Sequence, residues 1–280
     1  MTAAPPPKLI WFLWLQGLNE APEIVRLCLD SWRRCNPGWE VRTLDRAGLD
    51  RLIDLSVIPA ASLESASPQA LSDIARVRLL AAHGGVWADA SAFCVQPLDD
   101  WIWSELGGGF FAFSAPGRDR LISSWFLASA AGGPLISALD AAVVRYWSGP
   151  AFQNGRRPRL ARGLEKLLRG SVASTGLWFT PAVREGLRLR PYFWLHYLFA
   201  ETLRRDPEAA VAWAAAGKRP AEGPHRLQAH GVARPPGPEL RAEIRAAAQP
   251  MYKLDLGRAS AALGTGGALD ELIREAVGGR

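Results

Sequence analysis

Residues Leu9-Ile10-Trp11-Phe12-Leu13-Trp14-Leu15 are apolar without alternation, so neither side of the segment is suited to water. A short run of this kind predicts a central strand covered on both faces. Gln16-Gly17-Leu18-Asn19 reads as a loop. Ile24, Cys28 and Trp32, with Val25 and Leu29 beside them, then recur at helical spacing. Pro22 suits the first turn of that helix, where a missing N–H costs nothing, and Asn36-Pro37-Gly38 ends it. Trp39 to Leu44 returns to a two-residue alternation, which completes a strand, helix, strand unit of the length a parallel crossover needs.

Ala47 to Asp54 reads as a short helix. Ser67-Pro68 opens a stronger one through Leu71, Ile74, Ala75, Leu79 and Ala82 to His83, with Gly84-Gly85 as its left-handed exit. Val86-Trp87-Ala88-Asp89 follows as a short strand whose last side chain emerges at the carboxyl edge of the sheet, where open α/β sheets bind ligands. Further strands are predicted at Phe110 to Phe113 and Ser124 to Ala128, and helices at Pro134 to Trp147, Leu160 to Arg169 and Tyr192 to Arg205. The expected organisation is a proline-rich flexible tail over 1–7, an α/β domain over 8–205, and an Ala/Arg/Pro-rich helical extension over 206–280. Within the extension, Arg219 to Pro238 holds five prolines and no clear apolar period, so it reads as a loosely packed connector.

Composition adds limits. With 280 residues and 49% hydrophobic positions the chain can bury a full core. Its formal charge of +6 suits an anionic partner without selecting one, and lysine occurs only at Lys8, Lys166, Lys218 and Lys253. Coding bias and a solvated surface account for the arginine excess equally well. Cys28, Cys35 and Cys94 match neither a closed disulfide framework nor a zinc ligand set, and read as reduced core thiols of a cytosolic protein. Leu9 to Leu15 is too short to span a membrane and lacks the basic flank of a secretory signal. A soluble protein, at most bound to a membrane surface, is therefore expected. Arg156-Arg157-Pro158-Arg159, followed by Arg162, is the densest basic cluster, either a solvated loop or a steering site for an anionic donor, a lipid-linked acceptor or membrane headgroups.

The stretch that carries chemistry is Ala70-Leu71-Ser72-Asp73-Ile74-Ala75-Arg76, continued by His83-Gly84-Gly85-Val86-Trp87-Ala88-Asp89-Ala90-Ser91. Asp73 and Arg76, three apart, share one helix face. Taken alone they make a surface ion pair worth well under about 1 kcal/mol, and Asp89 is an ordinary loop acid. As an ordered series, the helix acid and base, glycine pair and strand-end acid resemble the signature of the glycosyltransferase family 32 and capsular polysaccharide synthesis group. The resemblance takes in Ile10 to Gly17, Asn36-Pro37-Gly38, Phe93 to Leu98, Phe111-Ala112-Phe113, Ser123 to Phe126 and Tyr192 to Tyr197, and covers roughly 8–205.

The resemblance implies a GT-A-like nucleotide-binding sheet with flanking helices. It also implies transfer of a sugar from a nucleoside diphosphate sugar, with UDP as the expected nucleotide, to a hydroxyl of a polysaccharide or lipid-linked acceptor, with retention. Nucleic acid is not expected as a partner. Asp89, Asp73 and Arg76 would form the catalytic set, and Trp14, Gln16, Gly85, Trp87 and Ser91 the donor contacts. An aromatic face offers a platform for a base, a carboxylate accepts hydroxyl hydrogen bonds, and a guanidinium fork donates to phosphate or sugar oxygens. Trp14 reads equally as a core tryptophan. Asp89 would be the first acid of an Asp-x-Asp motif, with Ser91 in place of the second. That departure weakens the expectation of Mn²⁺ or Mg²⁺, which carboxylates bind better than a neutral hydroxyl. His196, in an aromatic helix, is the other candidate metal ligand, or else a satisfied core histidine.

Two other classes stand beside this one. A sugar nucleotidyltransferase needs a glycine-rich basic loop after its first strand, which Gln16-Gly17-Leu18-Asn19-Glu20 does not supply. A non-catalytic nucleotide-sugar-binding protein descended from a transferase fits the missing second acid.

Overall fold

The unbroken apolar run near the start becomes an interior strand of a mixed sheet. The computed structural model describes residues 5–152 and 159–278. Among them, seven strands run in chain order: β1 Leu9–Leu13, β2 Glu40–Leu44, β3 Gly85–Ala88, β4 Ala92–Cys94, β5 Phe110–Gly117, β6 Arg120–Ser129 and β7 Met251–Lys253. Five form one sheet in the order β2-β1-β3-β6-β5, while β4 and β7 make a separate antiparallel pair. β1 pairs in parallel with β2 and β3, and β6 runs antiparallel to both β3 and β5.

Every β1 residue is buried. Ile10 and Phe12 join Ile24, Cys28 and Trp32 of the helix Glu23–Cys35 in one core, whereas Leu9, Trp11 and Leu13 join Ile74 and Val77 of the helix Pro68–His83 in another. The α/β architecture with helices on both faces follows directly from that two-sided apolar pattern.

Ser67 caps the helix Pro68–His83, its side chain accepting from the Ala70 N–H, and the helix stops at Gly84. Gly84 and Gly85 have φ of +67° and +96°, and a Cβ on Gly85 would lie 2.5 Å from the Leu9 carbonyl oxygen. The pair therefore lets the chain reverse hard against β1. Helix and β3 run antiparallel as a result, so the first half of the helix lies beside the carboxyl end of β3.

The C-terminal part departs from the sequence expectation. Arg219 to Pro238, read as a loose connector, contains the helix Glu222–His230, with Leu227 fully buried and Ala221 and Val232 buried nearby. Leu240, Ile244, Met251 and Tyr252 extend the core around Ile10 and Phe12. Helices of eight or nine residues are too short to register an apolar period, and Pro238 opens one rather than interrupting it. Two strands missed by pattern, β4 and β7, are three residues long. Of the proline-rich N-terminal segment, residues 1–4 lie outside the described residues and Pro6 is buried. The expected helix from Tyr192 begins at Trp194. All three cysteines are buried thiols outside any disulfide. Among the described residues, no helix is long and apolar enough to cross a membrane.

Candidate functional site

Three chain segments meet at the carboxyl edge of the parallel strands. β1 leaves through Trp14, Leu15 and Gln16, and β3 through Asp89, Ala90 and Ser91. The antiparallel β6 enters at the same edge, where the Asp89 N–H donates to the Trp125 carbonyl at 2.9 Å. The start of the helix Pro68–His83 adds Asp73 and Arg76. Together they line a cleft of about 880 Å³, within the range of roughly 300–1,000 Å³ for small-molecule sites.

Arg76 is the hub. Its side chain is only 6% exposed, with Nη1 3.2 Å from Asp73 Oδ1 and Nη2 3.2 Å from Asp89 Oδ1. Nη1 also donates to the Ser124 carbonyl at 2.5 Å, while Nε and Nη2 donate to the carbonyl and hydroxyl oxygens of Ser72, each at 3.2 Å. The guanidinium lies over the Trp87 ring, 5.0 Å from its centroid. Five N–H donors thus face five acceptors. Arg76 thus ties the two carboxylates together, with hydrogen bonds to Ser72 and Ser124 holding it in place.

Asp89 is held from three sides. Oδ1 accepts from Trp87 Nε1 at 2.8 Å as well as facing Arg76, and Oδ2 lies 3.5 Å from Lys253 Nζ. The Lys253 ammonium also donates to Ser91 Oγ at 2.5 Å. At Asp73 burial raises the carboxyl to about 6; Arg76 opposes this, Asp89 reinforces it, and Arg190 also opposes it. Burial together with the positive charges of Arg120 and Arg76 pushes His196 down to about 3, so its imidazole is neutral.

Of the residues singled out in the sequence, Asp73, Arg76, Asp89, Trp14, Gln16, Trp87, Ser91 and His196 all line the cleft. Gly85 does not; it is buried in β3 against Leu9, and its task is the close backbone approach. Arg156, Arg157 and Pro158 lie outside the described residues. Sequence reading missed Arg120, Arg190, His225 and Lys253, which also line the cleft. Nothing local marks them, because each reaches the cleft from an element distant in sequence.

A divalent ion does not fit the residues present. Among the described residues no three His, Cys, Asp or Glu side chains are grouped to hold one. Both oxygens of Asp89 already face cationic or N–H partners, and Ser91 Oγ accepts from an ammonium. The guanidinium charges that suppress protonation of His196 repel a metal ion there as well. No step is assigned to a metal at this site.

The chain is similar in sequence to several glycosyltransferases. The curated relatives include the O-glycosyltransferase braB of Annulohypoxylon truncatum, 26% identical over 167 residues, which are 53% of this chain and 39% of that one. The putative glycosyltransferase HOC1 of Saccharomyces cerevisiae is 25% identical over 209 residues, 65% of this chain and 51% of its own. The chain thus spans about half or less of the length of these relatives. Among solved structures, the PaToxG glycosyltransferase shares 14% identity and a TM-score of 0.36, covering 76% of this chain and 87% of that one. So distant a likeness carries no argument about the fold, which stands on the strand order above. The profile of the family described as capsular polysaccharide synthesis protein matches residues 3–151, more than half of the chain and the whole stretch from β1 through Asp89 to β6. With that match over more than half of the chain, the chain belongs to the capsular polysaccharide synthesis protein family.

Proposed function

We propose that the cleft binds a nucleoside diphosphate sugar, a UDP-sugar first among the candidates, and that the chain transfers the sugar to a hydroxyl of a glycan or lipid-linked acceptor with retention. The convergence of Asp73 and Asp89 on one buried arginine, at the carboxyl edge of a mixed α/β sheet and beside Trp14, carries this reading. The named activities of the relatives point the same way.

Trp14 offers its ring to the base, and Asp73 accepts hydrogen bonds from ribose or sugar hydroxyls. Asp89, aimed by Trp87 and Arg76, stands where the donor sugar meets the diphosphate. In the transfer, the bond from the anomeric carbon to the diphosphate breaks with its electron pair on the leaving oxygen. The acceptor oxygen forms the new bond, and its proton passes to the departing diphosphate. Catalysis of this kind rests on charge stabilisation and orientation rather than a protein nucleophile. Three buried thiols suit a reducing compartment, in keeping with work in the cytoplasm or at the inner face of its membrane.

A thermal-shift screen across nucleoside diphosphate sugars tests the reading. A donor at a hundred times its Kd adds about 2.7 kcal/mol and raises Tm by several degrees; no shift with any of them would rule the reading out. A donor that binds but is never hydrolysed or transferred would select the non-catalytic alternative, which the serine at position 91 favours.

Donor affinity should also follow the protonation of Asp73. With a pKa near 6, its carboxylate form falls to about one in eleven at pH 5, so affinity is expected to drop about tenfold between pH 7 and pH 5. The free protein moves oppositely. Because the folded-state value exceeds the ordinary 3.8, folded Asp73 keeps a proton that the unfolded chain has released. Its contribution to stability therefore declines as pH rises from about 4 to 6. Calorimetric titration across this range, with Asp73→Asn as the pH-insensitive control, checks the assignment; an unchanged affinity at pH 5 would refute it.

A further inference from the structure

We infer that Lys253, carried into the cleft by β7, is the cation that binds the donor diphosphate, and that binding therefore needs no divalent metal ion. The inference rests on the donor reading above and adds to it the group that meets the phosphates.

Placement comes first. β7 pairs antiparallel with β4, Ala92 opposite Lys253, Phe93 opposite Tyr252 and Cys94 opposite Met251. Met251 and Tyr252 are fully buried, and the Leu254 N–H donates to the Ser91 carbonyl at 2.8 Å. Met251 and Tyr252 are buried on opposite faces of β7 while Lys253 is only partly buried, so a slip of one residue would carry the ammonium into the core, and the register that avoids this sets where Lys253 stands. The lysine thus reaches Ser91, and Asp89 beside it, from 162 residues beyond Ser91 along the chain.

Hydrogen bonding then separates Lys253 from Arg76. Arg76 donates hydrogen bonds to Ser72 and Ser124 and is paired with two carboxylates, with its side chain only 6% exposed. Of the three directions open to the Lys253 ammonium, only that to Ser91 Oγ is short, at 2.5 Å; the Leu254 carbonyl is at 3.4 Å and Asp89 Oδ2 at 3.5 Å. As hydrogen bonds, contacts of that length are weak, so the ammonium can turn toward a phosphate oxygen while staying beside the Asp89 carboxylate. Its side chain is 17% exposed and lines the cleft, where Arg120 and Arg190 add positive charge. A diphosphate entering there exchanges two long contacts for charge-assisted ones in a partly desolvated site.

Charge supplies the third argument. Two carboxylates holding a divalent ion present no net charge to the donor, and Asp89 paired with the Lys253 ammonium presents none either. Serine at position 91 is what this arrangement needs: its hydroxyl accepts from the ammonium, whereas a second carboxylate would hold the lysine in a tight ion pair and away from phosphate.

The test is calorimetric titration of the full chain with UDP, GDP and inorganic pyrophosphate, once with excess EDTA and once with Mn²⁺. The wild-type chain is expected to bind at least one probe with a Kd that agrees within about threefold between the two buffers. Lys253→Met should weaken that binding at least tenfold in both, and Lys253→Arg should restore most of it. Melting temperature and near-ultraviolet circular dichroism report whether each variant is folded. Lys253→Gln, which keeps part of the stem and a hydrogen-bond donor, carries the comparison if the methionine variant is not. Wild-type binding that appears only with Mn²⁺, or folded neutral variants that bind like wild type, overturns the inference and leaves the donor reading standing. Absence of binding to every probe in both buffers overturns the two together.

Discussion

Replacing Asp89 with alanine is expected to lower release of free sugar from the donor by at least about 100-fold, while the chain stays folded. The reason is the convergence on this one carboxylate: Trp87 and Arg76 aim Oδ1, and Oδ2 faces Lys253. An oriented carboxylate of this sort has about four lone-pair sites, and three named partners leave room for a donor hydroxyl. Without it, Arg76 keeps Asp73 as a partner, but Lys253 loses the group that balances its charge. Losses of 10²–10³ are typical when one pre-aimed electrostatic group is removed from an active site. Steady-state assay of sugar release, with kcat and KM separated, measures the effect. Activity undiminished in the variant would remove Asp89 from the machinery and, with it, the assignment of the cleft.

Arg76→Met should produce the largest loss of stability, about 3 kcal/mol. Removing one partner of a buried ion pair strands the other charge, at a cost of roughly 3–5 kcal/mol. Here the stranded groups are two acids, Asp73 at 14% exposure and Asp89 at 22%, so solvent screening keeps the figure at the low end. For a chain of 280 residues that corresponds to a fall in Tm of about 5 °C. Arg76→Lys should recover part of it, since one ammonium cannot serve Ser72, Ser124 and both carboxylates at once. Adding Asp73→Asn to Arg76→Met should also return stability, by removing one unpaired charge. A double-mutant cycle read by chemical denaturation measures the coupling. A Tm within 2 °C of wild type for Arg76→Met, on the order of 1 kcal/mol or less, would show that the three residues do not form a working unit.

Arg76 also shows where reading a sequence stops. Its spacing of three from Asp73 marks a shared helix face, and in isolation such a pair sits at the surface with little energetic weight. Burial by Trp87, and a second acid arriving thirteen residues later at the end of β3, turn it into the centre of the site. Similarly, Gly84-Gly85 is legible as a helix exit, but its further task is visible only once Leu9 lies 2.5 Å from the missing Cβ of Gly85.

The sequence by itself determined the strands β1, β2 and β3, the helices Glu23–Cys35, Arg46–Leu52 and Pro68–His83, the α/β class and the emergence of Asp89 at the sheet's carboxyl edge. These follow from local periods and from glycine and proline chemistry, each confined to a few consecutive residues. The tertiary structure alone decided that Arg219 to Pro238 packs into the core rather than forming a connector. It also decided that Lys253 reaches the cleft and that Asp89 meets its ammonium there. Those outcomes depend on pairing between strands of three residues and on contacts across more than a hundred positions, where burial of Met251 and Tyr252, not any local pattern, selects the register.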